Sequence, residues 1–262
     1  MEAARHATPA TRDPVRVTNR EGRSPLVLVC DHASNFLPPQ FGTLGLDQSD
    51  LQRHIAWDPG AQPVALRMAE ALDAVLVESC VSRLVVDCNR PLDAPDLISA
   101  VSETTVIPGN AGLTAQACAL RISLAYDPFH AAIEEIVANR LAAGRETWLV
   151  SVHSFTPVYK GVVRPWHVGV IHDDDARLAA PLIAALRSQE GLVVGVNQPY
   201  SPADRVYHTL EIHGRRRSIP CAMIEIRNDE IADEDGQRGW GDRLSSIFSA
   251  LRKEHEVFDA PG

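Results

Sequence analysis

Leu26-Val27-Leu28-Val29-Cys30, followed at once by Asp31-His32-Ala33-Ser34-Asn35, is the stretch from which the fold can be read. A continuous apolar run that stops at a polar cluster suits a central strand covered on both faces. In open α/β sheets, chemistry gathers where such strands end. The pattern recurs, because Trp148-Leu149-Val150-Ser151-Val152 runs into His153-Ser154-Phe155. Outward from these two runs, further buried strands are predicted at 74–78, 83–87, 147–152, 167–171, 192–196 and 221–226. Helical spacing of apolar residues appears at 58–72, at 115–142 in one or two pieces, at 175–189 and at 240–255. Strands alternating with helices predict an α/β fold, a mostly parallel or mixed central sheet with helices on both faces. Residues 1–24 mix Ala, Arg, Thr and Pro without period and are expected to form a flexible N-terminal arm, leaving 25–262 as a single domain. The connections at 91–113 and 198–218 exceed ordinary loop lengths, a mark of functional loops.

Composition narrows the function. The chain has 262 residues, 45% of them apolar and 23% charged, the profile of a folded globular protein. Lys and Arg total 25 against 34 Asp and Glu, a formal charge of -9, which repels polyanions and argues against a nucleic-acid partner. No apolar run approaches the roughly 20 residues needed to cross a bilayer, and the first 24 residues lack the apolar stretch of a signal peptide, so a cytoplasmic protein with no membrane partner is expected. The five cysteines form no CxxC pair, which fits reduced thiols rather than a disulfide framework or zinc knuckle.

Several segments carry candidate chemistry. His32 and His153, each at the exit of a buried strand, suit two imidazoles converging on one metal ion; a loop histidine capped by Asp31 is the alternative for the first. Glu225, inside Met223-Ile224-Glu225-Ile226-Arg227, is a carboxylate in an apolar strand, where burial raises its pKa toward the range a general base or acid needs. Arg227, two residues on, shares its face, so the two either serve one pocket or form a structural pair. In Arg83-Leu84-Val85-Val86-Asp87-Cys88-Asn89-Arg90, strand alternation puts Arg83 and Asp87 on one face and leaves Asn89 and Arg90 at the exit. There Arg90 has the planar fork for a carboxylate, with a surface salt bridge as the alternative. In His54-Ile55-Ala56-Trp57-Asp58-Pro59, Pro59 suits a first helical turn, which makes Asp58 an expected N-cap ahead of a metal ligand. His130, ahead of an amphipathic helix, packs or caps. No GxSxG elbow is present, and the cysteines sit in apolar strand or helix contexts, so serine and cysteine hydrolysis are disfavoured.

Taken in order, the segments 31–38, 54–61, 82–91, 126–132, 153–157, 197–200 and 225–229 resemble the N-formylglutamate amidohydrolase family, over nearly all of the chain after residue 24. The resemblance implies a zinc-dependent amidase with an α/β fold similar to zinc exopeptidases, acting on a small anionic N-acyl amino acid. Laid over this chain, it implies one zinc ion (another divalent metal is an alternative) on His32 and His153. Glu225 is then the base, with Arg227 beside it, and Asn89 and Arg90 hold the substrate carboxylate. Arg83 or Arg227 stabilises the oxyanion or a side-chain carboxylate. His130, Asn197 and Tyr200 fall in matching segments and are expected to bind substrate. The acidic ligand expected three residues after His32 is replaced by Asn35, a poor zinc ligand, so Asp58 is the candidate third ligand and Asn35 its alternative. Hydrolysis of another N-acyl substrate by the same machinery, and an inactive binding protein on the same fold, remain competing readings.

Overall fold

The structure is a computed structural model and describes residues 13–258. In chain order it contains β1 (Val15–Thr18), β2 (Leu26–Cys30), α1 (Ala61–Leu72), β3 (Val75–Ser79), β4 (Val101–Ser102) and β5 (Thr105–Val106). There follow α2 (Ala115–Arg121), α3 (Asp127–Ala142), β6 (Trp148–Phe155), β7 (Val158–Tyr159), β8 (Val162–Val163) and β9 (Val168–Ile171). The last elements are α4 (Ala179–Arg187), β10 (Val194–Val196), α5 (His208–His213), β11 (Cys221–Arg227) and α6 (Glu234–Phe258).

Seven strands form one mixed sheet in the order β1-β3-β2-β6-β11-β9-β10. The four central strands β3, β2, β6 and β11 run parallel, while β1 and β9 each pair antiparallel with their inner neighbour. Alternation along the central strands feeds two cores. Leu26, Leu28, Val150 and Ile224 face α1, α4 and α6 through Val64, Met68, Leu182 and Phe248. Val27, Val29, Leu149 and Met223 face α3 and α5 through Phe129, Ile133 and Leu210. Helices thus cover both faces, as the alternation of elements predicts.

The chain leaves β2 toward β3 on one side and returns to β6 on the other, so the switch of direction lies between β2 and β6. Crevices outside the carboxyl ends of parallel strands form at such a switch. The two-stranded ribbons β4–β5 and β7–β8 lie outside the main sheet.

Three expectations are corrected. Residues 15–18 of the expected arm form β1, where Arg16 is held by Glu78 through Nε at 2.7 Å and Nη2 at 2.6 Å; residues 1–12 lie outside the described residues. The segment 83–87 is a series of turns, tied by the Val85 N–H to the Ser82 carbonyl, with Ser82 Oγ on the Ala56 carbonyl. Helix α1 begins at Ala61 behind Gly60, whose φ is +79°, and no side chain caps it. A Cβ on Gly60 would meet the Ile231 carbonyl at 2.4 Å, so the helix start is built on a glycine and Asp58 is free for other contacts. No helix among the described residues is long and apolar enough to cross a membrane.

Candidate metal centre and substrate cleft

Three adjacent strands deliver the site. His32 follows β2, His153 lies near the end of β6 and Glu225 near the end of β11, with Glu225 beside His153 in the parallel register. On its other side Glu225 is opposite Gly169 of β9. Asp58 comes from the turn before α1, anchored by its own N–H on the His32 carbonyl at 3.0 Å.

The ligand atoms of His32, Asp58 and His153 all lie within 4.8 Å of one another, and all three residues are buried. Asp58 Oδ2 is 2.8 Å from His153 Nδ1 and 3.3 Å from His32 Nδ1. The far edges of both rings are held by carboxylates. Asp87 Oδ1 lies 2.7 Å from His32 Nε2, and Asp31 Oδ2 lies 3.1 Å from His153 Nε2. A carboxylate accepts only, so each Nε2 donates its proton to Asp87 or Asp31, which leaves Nδ1, beside Asp58, as the nitrogen whose proton a metal ion would displace. Three electron-pair donors converge with their rings already oriented, which is the donor set of a divalent metal site. Asp31 is itself fixed by Ser151 Oγ at 3.0 Å and by the Thr209 hydroxyl.

The protonation balance agrees. Burial and Arg83 press the His32 pKa down, yet Asp87 and Asp58 outweigh them and hold it above its ordinary value. His153, despite burial, is raised further by Asp31 and Asp58. Burial pushes Asp58 up, but the two histidines keep it well below the carboxylate range. Asp31 is lowered to about 2 against its burial, chiefly by His153. The centre is thus a concentration of negative charge that calls for positive charge between the rings. His54, whose Nδ1 lies 3.3 Å from Asp58 Oδ1, is lowered to about 4 by burial and stays neutral.

Glu225 is 4% exposed, its Oε2 meets no hydrogen-bond partner, and burial raises its pKa to about 7. Together with His32, His153, Asp58, Arg83, Arg90 and Tyr200 it lines a cleft of about 230 Å³. The rim includes Val101, Ser102 and Glu103 of the β4–β5 ribbon and Tyr159 of β7.

Other expected residues fall in different places. Arg83 lines the cleft with Nη2 on Asp87 at 2.6 Å and Nη1 on Asp58 at 3.4 Å. Arg90 lines it with Nε on the half-exposed Asp96 at 2.8 Å. Asn89 reaches the cleft wall but spends its amide on the Val206 carbonyl and the Thr209 N–H, pinning the start of α5. Asn35 donates to the Leu51 carbonyl at 2.9 Å, so it is a loop tie, and Asp58 stands in the ligand cluster. Asp58 is accordingly not the helix cap. Arg227 is turned away from the cleft because the chain enters a 3-10 turn at Asn228 that brings Asp229 and Glu230 against its guanidinium at 2.7 and 3.0 Å. His130, in the first turn of α3, is tied to His213 Nε2 and the Cys88 carbonyl, 2.9 Å each, outside the cleft lining. Asn197 takes a left-handed φ of 51° and accepts the His172 N–H, shaping a loop rather than facing the cleft.

Fold and site together define an α/β protein with a buried His-Asp-His centre beside a buried glutamate. Residues 24–232 match the family model described as N-formylglutamate amidohydrolase, and the chain belongs to that family. Among solved structures, it is similar to the gene product Atu2144 from Agrobacterium tumefaciens, with 42% identity over 96% of this chain and 100% of that one, TM-score 0.92. It also shares its fold with N-formylglutamate amidohydrolase from Ralstonia eutropha JMP134, at 20% identity over 93% and 98% of the two chains, TM-score 0.70. No curated protein matches it.

Proposed function

We propose that this protein hydrolyses the amide bond of an N-acyl amino acid in the cytoplasm, with N-formyl-L-glutamate, giving formate and glutamate, as the preferred substrate, and with zinc on His32, Asp58 and His153. The observation that supports it is the convergence of those three ligand atoms next to Glu225, in a chain of this family. A divalent ion there supplies Lewis acidity, the chemistry an unreactive amide needs.

The chain's own groups do the rest. Asp87 and Asp31 fix the His32 and His153 rings from behind, so that the site is ordered before it binds. Glu225, with Oε2 unpartnered and its pKa near neutrality, takes the proton of the attacking water and returns it to the departing nitrogen. Arg90 makes no hydrogen bond through Nη2 to a described residue and offers that nitrogen to the α-carboxylate, while Asp96 holds the side chain in place. Arg83, neutralised by Asp87 and Asp58, stiffens the wall and reduces the repulsion that three buried acids would exert on an anionic substrate.

Metal analysis of the purified protein, followed by detection of formate from N-formyl-L-glutamate, tests this reading. One equivalent of metal and release of formate are expected. Turnover of a different N-acyl amino acid alone would make the protein a deacylase of another substrate, and tight binding without turnover would make it a binding protein.

A further inference from the structure

Arg164 is not itself among the residues that line the cleft, but it lies directly behind two that are, Tyr159 and Tyr200. It is 7% exposed, yet among the described residues it makes no ion pair. Its Nη1 touches two hydroxyls, Tyr200 at 3.1 Å and Thr156 at 3.5 Å, while Nε and Nη2 make no hydrogen bond to a described residue. Its guanidinium carbon lies 4.6 Å from the Tyr159 ring, 4.8 Å from Tyr200 and 5.8 Å from Phe155. Tyr159 and Tyr200 both line the cleft.

Two other buried arginines show what a structural role looks like. Arg121 donates to the Val85 and Gly109 carbonyls and to Asn110 Oδ1, and Arg140 donates to the carbonyls of Gly22, Ser24 and Glu146. Both spend their forks on the protein. Arg164 leaves most of its fork unspent, and the ring faces around it offset only part of the cost of removing a cation from water. A guanidinium so held is preorganised for a planar anion.

We propose that Arg164, with the Tyr200 hydroxyl, receives a second carboxylate of the substrate, that of an acidic amino-acid side chain, and so sets the preference for N-acyl glutamate or aspartate over neutral N-acyl amino acids. This rests on the reading of the protein as an N-acyl amino acid hydrolase, in which Arg90 holds the first carboxylate. Arg83, Arg90 and Arg227 all carry acidic partners, so a dianionic substrate needs another cation, and Arg164, behind the Tyr159 and Tyr200 rings of the cleft wall, makes no ion pair with a described residue.

The test compares N-formyl-L-glutamate with N-formyl-L-glutamine in metal-loaded wild type and in Arg164→Met, Arg164→Lys and Tyr200→Phe. Arg164→Met is expected to lower kcat/KM for the acid by about 100-fold or more through KM, with the amide changed by only a few-fold. Tyr200→Phe should lose about tenfold of the preference, and Arg164→Lys should keep part of it. In parallel, calorimetry with glutarate and its monoamide, glutaramate, measures recognition without turnover. Loss of the discrimination in Arg164→Met supports the subsite even if the wild type hydrolyses neither formyl compound, a result that would sink the hydrolase reading alone. If Arg164→Met does not fold, Arg164→Lys and Tyr200→Phe decide. A folded variant set with undiminished preference for the acid and for glutarate overturns the proposal.

Discussion

Asp87 Oδ1 sits 2.7 Å from Nε2 of His32, so one edge of the imidazole is occupied by a carboxylate and the other edge, Nδ1, is left facing Asp58. His153 repeats the arrangement with Asp31. Each ring is therefore locked in one orientation by a partner from a different part of the chain.

If that lock matters for ligation, Asp87→Asn should weaken metal affinity about 10–100-fold, measured by competition with a chelator. Unchanged affinity would assign Asp87 to holding Arg83 only.

The third ligand position separates two residues that the sequence leaves in competition. Asp58→Asn should lower metal affinity sharply, while Asn35→Ala should leave it within about a few-fold, because Asn35 spends its amide on the Leu51 carbonyl. The reverse order in metal titrations would remove Asp58 from the ligand set.

Glu225→Gln should retain metal and melting temperature yet lose about 10² to 10⁴-fold in turnover. Near-normal turnover in the folded, metal-loaded variant would remove Glu225 as the base.

The same residue gives a stability signature in metal-free protein. Its folded pKa of about 7 lies above the ordinary glutamate value of 4.5, so the folded state binds its proton more tightly than the unfolded chain. That contribution is complete below the unfolded pKa and is lost as pH rises through the folded one. Wild type should therefore weaken relative to Glu225→Gln between about pH 4.5 and 7, by on the order of 2 kcal/mol. Denaturant melts of chelated protein at both ends of the window measure the difference, and a flat difference would contradict the burial of an ionisable Glu225.

Gly169 lies opposite Glu225, and a Cβ there would sit 1.9 Å from the Gln198 carbonyl oxygen. The strand lacks a side chain where the loop leading to Tyr200 crosses it. Gly169→Ala should destabilise by about 1–3 kcal/mol or more and disturb the Tyr200 wall, raising KM as well as lowering the melting temperature. A silent substitution would show that the loop yields freely.

Much of this was legible because apolar runs ending in polar residues announce parallel strands, and His32, His153 and Glu225 stand at three such ends on neighbouring strands. The candidate metal-ligating pair and the candidate base follow from that adjacency. What the sequence hides are contacts between segments far apart in the chain. Asp31 and Asp87 look like ordinary neighbours of His32 and Arg83 until the fold turns them onto the rings of His153 and His32. Asp58 reads as a cap because Pro59 suits a helical start, whereas Gly60 provides that start. Arg164 follows a short ribbon in a stretch with no period, and only the fold shows the aromatic rings gathered around it. Residues 15–18 escape a sequence reading because Val15 and Val17 alternate with Arg16 and Thr18 over only four residues, too short a run to stand out.

That edge strand has a practical consequence. Removing residues 1–24 as a dispensable arm would strip β1 from β3, taking Arg16 away from Glu78, which is fully buried. The uncovered border of β3 would then present unpaired backbone groups along Val75–Ser79, a template for the same border of another molecule. A shortened protein would be expected to self-associate through strand addition and to lose solubility even with its His-Asp-His centre intact.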